Sequence, residues 1–364
     1  MVKRFILVLM GVSLFCGSVR AQGGEILRFI YCSDLHYGLE RDFRGEEDVP
    51  ADSVSRAMIA SFGLLEKTAL PLDGGVGQGQ VLGEPEFIVC TGDIANRMQH
   101  GVQTASESWK QFCRDWEEYL DRMYLIPGNH DISNAIGYPK PMSPDKDAAS
   151  VAGIYDMMMS PDTAVTADNF DYAVHKTHYT FVADSVRLVF MGMWPDSHMR
   201  EWYSGTVDAG EDIPVLLFTH DPPEADAKHF TNPWRPHDIN SADKFENLLT
   251  DTCSVRSIDR APKDNWRALE RFLASHPEIK AWFHGDWNYN EFYTWTGVDG
   301  TVSLPVFRVD SPMKGDYSSV DETLLSYIVV TVDADSRLLT ARECLWNPDG
   351  AAGIRWGVSC TVTL

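Results

Sequence analysis

Five short apolar runs, each ending abruptly at residues able to bind metal or move protons, constrain this chain more than any other feature. Ile26–Cys32 (ILRFIYC) stops at Ser33-Asp34-Leu35-His36, and Phe87–Cys90 (FIVC) stops at Thr91-Gly92-Asp93. Met123–Ile126 stops at Pro127-Gly128-Asn129-His130-Asp131, and Val215–Phe218 (VLLF) stops at Thr219-His220-Asp221-Pro222-Pro223. Ile279–Phe283 (IKAWF) stops at His284-Gly285-Asp286-Trp287-Asn288. Runs of this length and composition read as buried strands.

Helical spacing falls between several of them, at Ser53–Lys67, Ser106–Arg122 and Asp264–Ser275, the last with Asp264 as its N-cap. Alternation of strand and helix implies an α/β fold with partly parallel sheets, whose C-terminal strand ends form the ligand crevice. Pro71–Pro85 and Gly137–Pro144 read as loops, and the pattern turns β-rich at Val302–Val309, Leu325–Val332 and Leu338–Cys344. No internal repeat or linker divides the chain, so a single domain is expected over residues 22–364.

The first 21 residues read as a secretory signal. Lys3 and Arg4 precede an apolar run from Phe5 to Phe15, and Val19-Arg20-Ala21 offers a small-residue cleavage site after Ala21. The run is too short for a permanent membrane span. A periplasmic or secreted protein is therefore expected. The formal net charge is −22, and removal of Lys3, Arg4 and Arg20 with no acid makes it −22 − 3 = −25. A chain so acidic does not attract nucleic acid through a general field, so phosphate binding calls for local positive charge. Export permits disulfides, and of Cys32, Cys90, Cys113, Cys253, Cys344 and Cys360 the pair Cys344–Cys360 is the expected bridge. No CxxC spacing occurs, which excludes a zinc ribbon.

Singly, each strand end has a plain structural reading as a turn or cap. Together, Asp34, His36, Asp93, Asn129 and His220 supply the mixture of hard oxygen and imidazole donors that a dinuclear metal site needs, all at strand ends that one crevice can gather. In that order the motifs resemble those of the calcineurin-like metallophosphoesterase superfamily, over about residues 26–310 of the chain, with residues 311–364 as a β-rich completion. The resemblance implies a four-layer sandwich of two mixed β-sheets flanked by helices, and two divalent ions drawn from manganese, iron, zinc or magnesium. It implies that Asp34 and His36 hold the first ion, that Asp93 bridges, and that Asn129 and His220 hold the second. His130 matches the family histidine that contacts phosphate and protonates the leaving group, with Asp131 orienting it.

The last block departs from the family's Gly-His-x-His: Asp286 and Asn288 stand where two histidine ligands are usual. Asp286 remains a good hard donor for the second ion, whereas Asn288 is a weak one for the first, and His284 should point away along its strand. The change moves metal preference toward harder ions.

The implied activity is hydrolysis of a small phosphomonoester or phosphodiester, with no protein partner indicated. The alternatives are a non-catalytic metal- or phosphate-binding module, or a dinuclear hydrolase acting on something other than a phosphoester. Of the aromatics Trp194, Trp202, Trp234, Trp287, Tyr289 and Trp295, only Trp287, between two proposed ligands, is expected at the site; Arg235 and His237 are candidates for phosphate contact.

Overall fold

A computed structural model describes residues 26–99, 101–137, 146–207, 212–233, 246–253 and 262–364. The proposed signal peptide, Trp234, Arg235, His237 and most of the Gly137–Pro144 loop lie outside the described residues. In chain order the first part holds β1 (Leu27–Cys32), β2 (Glu40–Phe43), β3 (Glu46–Pro50), α1 (Ala51–Leu65), β4 (Phe87–Cys90), α2 (Ala105–Asp115), β5 (Met123–Leu125), α3 (Asn129–Ile136) and α4 (Ala149–Met159). There follow β6 (His178–Ala183), β7 (Val186–Met191), α5 (Ser197–Thr206), β8 (Val215–Phe218), α6 (Lys263–Ser275), β9 (Ile279–His284), β10 (Glu291–Trp295) and β11 (Leu304–Arg308). The last three strands are β12 (Ser326–Asp333), β13 (Leu338–Leu345) and β14 (Arg355–Thr363).

Two six-stranded mixed sheets form, in the orders β14-β13-β12-β1-β4-β5 and β10-β11-β9-β8-β7-β6. In the first, β1, β4 and β5 are parallel while β12, β13 and β14 run antiparallel. In the second, β7, β8, β9 and β11 are parallel, edged by antiparallel β6 and β10.

Because side chains alternate along a strand, each sheet offers two faces for burial. Phe29, Tyr31 and Val89 of the first sheet meet Phe190, Phe218 and Phe283 of the second in one apolar layer. The Phe218 and Phe283 rings stack at 4.8 Å, with Phe29 edge-on to both. On the opposite face of the first sheet, Ile30, Cys32 and Ile88 pack against Val54, Met58 and Phe62 of α1 and Phe112 of α2. On the outer face of the second, Val189, Leu217 and Trp282 pack against Met199 and Tyr203 of α5 and Leu269 and Phe272 of α6. The result is the four-layer helix–sheet–sheet–helix sandwich.

Three local expectations need correction. The second helix ends at Asp115, not at Arg122, because buried Trp116 leaves helical geometry and Leu120–Arg122 forms a separate 3₁₀ turn. Asp264 does not cap α6: the helix starts at Lys263 after Pro262, and Asp264 sits in its first turn, where its charge still faces the amide end. Cys344 and Cys360 form no disulfide. In the β13–β14 register Cys344 faces Trp356 and Cys360 faces Ala341, so the two thiols are not opposite one another, and the described cysteines are all free.

Candidate metal centre

The predicted strand ends meet at one place, at the C-terminal edges of the parallel strands of both sheets. The backbone there is unusual. Asp34 (φ 56°), His36 (φ 46°), Asp93 (φ 50°), Asp286 (φ 64°) and Asn288 (φ 52°) all lie in the left-handed region. Each such non-glycine residue is strained, and clustered strain of this kind belongs to functional turns. Two glycines allow the turns to approach: a Cβ on Gly128 would lie 2.1 Å from Asp93 Oδ1, and one on Gly285 would lie 2.2 Å from Asp34 Oδ2.

Asp93 stands in the middle, its two oxygens turned in different directions. Oδ1 lies 3.6 Å from His220 Nε2, and Oδ2 lies 3.7 Å from His36 Nε2. On the first side Asp34 Oδ1 is 3.6 Å from His36 Nε2. On the second, His220 Nε2 also faces Asn129 Oδ1 at 3.2 Å and Asp286 Oδ1 at 3.8 Å. His220 Nδ1–H donates to the Thr91 carbonyl at 2.7 Å, which leaves Nε2 for the centre. The Asn129 amide donates to Glu246 at 3.4 Å, which turns its oxygen inward.

The electrostatics bear on what the site can hold. Burial pushes the Asp93 carboxyl up to about 8, with His220 opposing and Asp34 and Asp131 adding to the rise. For His220 burial alone would lower the pKa, but Asp93, Asp34, Asp286 and Asp221 outweigh it and hold it at about 10. Burial likewise opposes ionisation of Asp34, yet His36 and His220 bring it down to about 2. His36, buried and facing Lys314, falls to about 3. In the chain alone, protons thus supply the positive charge that these converging oxygens demand. Asp34 Oδ1, Asp221 Oδ1 and Asn288 Oδ1 are buried with no hydrogen-bond partner among the described residues. Unpartnered buried oxygens and cation-starved carboxylates fit divalent ions.

Asp34, Asp93 and His220 form one group with donor atoms within 4.8 Å of one another; His36, Asp93 and His130 form a second, and His220, Asp221 and Asp286 a third. Asn288 is on the same turn as Asp286, but its amide nitrogen donates to the Asp286 carbonyl at 2.8 Å. His284 points elsewhere, between the Gly285 carbonyl (2.9 Å) and the Tyr293 hydroxyl (3.1 Å). Trp287 is 46% exposed beside the centre, whereas Trp194 and Trp295 are core residues.

His130 is the second residue of helix α3, and its backbone N–H donates to Asp93 Oδ1 at 2.8 Å. Its ring Nδ1 accepts the Arg97 backbone N–H at 2.9 Å, and its Nε2 lies 3.7 Å from Asp93 Oδ2. Asp131 does not orient this ring, contrary to the expectation from sequence. Its carboxylate is taken by the amides of Ala95 (3.0 Å), Gly128 (3.1 Å) and Ile94 (3.2 Å), so it ties the Asp93 turn to the Asn129 turn.

Sequence reasoning missed two residues here. Asp221 was in plain view next to His220, and its other oxygen binds His229 Nδ1 at 2.8 Å. Lys314, whose Nζ lies 3.4 Å from His130 Nε2, had no signal: it sits beyond the last motif, on a segment with no recognisable pattern.

The profile of the calcineurin-like phosphoesterase family matches residues 27–290. No curated protein is significantly similar in sequence. Among solved structures, a dimetal phosphatase from Danio rerio is 10% identical with a TM-score of 0.49, over 93% of this chain and 98% of that one. Vps29 from Chaetomium thermophilum is 9% identical with a TM-score of 0.34, over 93% and 97%. The calcineurin-like phosphoesterase YfkN from Bacillus subtilis is 8% identical with a TM-score of 0.31, over 94% and 91%. At such identities the likenesses say nothing of activity.

Proposed function

The chain belongs to the calcineurin-like phosphoesterase family, and from that premise we propose that it hydrolyses a small phosphoester with the aid of two divalent ions. The observation that carries this reading is the Asp93 carboxylate, whose two oxygens face different histidines: His36 beside Asp34 on one side, and His220 beside Asn129 and Asp286 on the other, with Asp34 also close to His220. Asp34, His36 and Asn288 would hold the first ion, and Asn129, His220 and Asp286 the second, with Asp93 shared. When bound, such ions draw charge from a phosphoryl group and make a water acidic enough to attack it near neutral pH.

The chain's own residues supply the rest. His220 is held by Thr91 and Asn129 by Glu246, so both donors are preset before any ligand arrives. The Arg97 amide fixes the His130 tautomer, so the neutral ring can donate an Nε2–H hydrogen bond that stabilises charge developing on the leaving-group oxygen. The Asp131 carboxylate, clamped by three amides, keeps His130 and Asp93 in register.

The weak donor Asn288 favours one other reading, a metal- or phosphate-binding module with little turnover. A panel of chromogenic phosphomonoesters and phosphodiesters, assayed with chelator and after reconstitution with manganese or zinc, separates the two. Hydrolysis lost to chelator and restored by metal supports the enzyme; fully metal-loaded protein that hydrolyses nothing on the panel removes it. We also propose export, with the mature protein starting at Gln22. Intact-mass analysis from the native host tests it, and a retained Met1 refutes it.

A further inference from the structure

His130 and Lys314 face each other in an arrangement that neither can satisfy. Because His130 Nδ1 accepts the Arg97 amide, the proton of the neutral ring is on Nε2. Lys314 Nζ, also a donor when charged, sits 3.4 Å from that same nitrogen. Two donors turned on each other lack an acceptor, and an anion's oxygens are what they fit.

Other cations nearby are already paired. Arg97 binds Glu246 at 2.8 Å, and Lys228 binds Asp226 at 3.3 Å. Lys314 forms no ion pair among the described residues. It is half-buried, so its charge is not spread into solvent.

The segment that carries it is firmly built. Ser311 Oγ donates to the Asp34 carbonyl at 2.7 Å and accepts the Lys314 backbone N–H at 2.9 Å, which fixes the lysine's position to a candidate ligand's own backbone. Arg41 donates to the carbonyls of Pro312 (2.7 Å) and Ser318 (2.6 Å), bracing both sides of the turn. Buried Asp310 sits beneath, where a Cβ on Gly315 would lie 2.3 Å from its Oδ1. So many ties hold the lysine in place and leave the turn little freedom to retreat.

We propose that Lys314 binds an unesterified phosphoryl oxygen next to the leaving-group oxygen met by His130 Nε2–H, and that the substrate class is therefore phosphomonoesters. This deepens the phosphoesterase reading and rests on it. Charge supports the choice. Two divalent ions would balance the four carboxylates Asp34, Asp93, Asp221 and Asp286, so Lys314 adds a further positive charge suited to a dianion.

The test is isothermal titration of inorganic phosphate into manganese-loaded wild type, Lys314→Gln and Lys314→Arg, with metal content measured on each. Alongside it, KM is compared for a monoester and a diester chromogen. Loss of one charge-assisted hydrogen bond should weaken phosphate binding by about 10–100-fold in Lys314→Gln, with Lys314→Arg retaining most of it. KM for the monoester should rise in parallel while diester kinetics change by less than about threefold and metal content stays equal. Phosphate binding unchanged in Lys314→Gln, equal losses on both substrates, wild-type preference for the diester, or loss of metal from the variant each overturns the proposal. Wild type that binds phosphate through Lys314 yet hydrolyses neither chromogen refutes the enzymatic reading and leaves the anion site standing. Hydrolysis with an indifferent Lys314→Gln does the reverse.

Discussion

The Arg97 backbone N–H donates to His130 Nδ1 at 2.9 Å, and this one contact decides what the imidazole can do. A nitrogen that accepts cannot carry a proton, so the ring stays neutral with its hydrogen on Nε2. Burial, and then the charges of Arg97 and Lys314, hold its pKa well below the usual histidine range. His130→Ala should lower turnover by about 10²–10⁴-fold with both metals retained, and the loss should shrink as the leaving group becomes more acidic. A loss that is the same for good and poor leaving groups would assign His130 to holding the phosphoryl group instead.

Asp93 is shared between donor sets, so no neighbour can replace it. Asp93→Ala should abolish activity and strip metal, measured by elemental analysis of dialysed protein. Asn129→Ala and His220→Ala should each lower the content by about one equivalent and leave the other ion. Full activity in metal-free Asp93→Ala protein would end the two-metal account.

Asn288 spends its amide nitrogen on the Asp286 carbonyl and brings only a neutral oxygen, unpartnered among the described residues. Wild type should therefore bind one ion more weakly than the other, and Asn288→His should tighten that site by roughly 1–3 kcal/mol. Asp286→Ala should instead remove the second ion together with activity. Titration of apo-protein with manganese and zinc checks all three; two equal, tight sites in wild type, unchanged in Asn288→His, would show that Asn288 is not a ligand.

The pH dependence of the metal-free protein has a defined sign. Asp93, raised to about 8, stabilises the fold below its ordinary value and loses that contribution as pH rises through about 8. His220, raised to about 10, contributes fully below the usual histidine value and loses it as pH rises through about 10. Asp34 at about 2 and His36 at about 3 titrate with opposite sense at lower pH, and Lys314, lowered by burial to about 8, opposes the trend above that value. Between about pH 6.5 and 8 the chelated protein should thus lose stability, while manganese-loaded protein, which needs those protons gone, should gain on it. Melting curves with and without chelator measure the gap, and a gap that narrows with rising pH would contradict the assignment.

Gly128→Ala should lower both the melting temperature and the metal content, since its Cβ would lie 2.1 Å from Asp93 Oδ1 and 2.7 Å from His220 Cε1. Normal metal content in that variant would mean that the two turns are looser than this packing requires.

The strands that bear the site were legible because they are buried on both faces, which leaves an unbroken apolar run such as VLLF at Val215–Phe218. The β6–β7 hairpin escaped notice for a reason in its turn: Asp184 and Ser185 both adopt positive φ (42° and 62°) with no glycine to announce it. Strand β14, half in solvent at the sheet's edge, has no apolar run to read. The ligand candidates were legible because each follows its strand directly. Lys314 was not, because the fold brings it to His130 across 184 positions of chain. The role of Asp131 was misread because a carboxylate next to a histidine in sequence says nothing of which amides reach it first.

The left-handed turns at Asp34, His36, Asp93, Asp286 and Asn288 have a consequence for how ions arrive. Their conformational cost is met once, when the sheets assemble, rather than at each encounter with a cation. Loading should then resemble the filling of a rigid crown ether: rapid capture, a small heat-capacity change, and discrimination between ions by radius more than by the protein's willingness to bend.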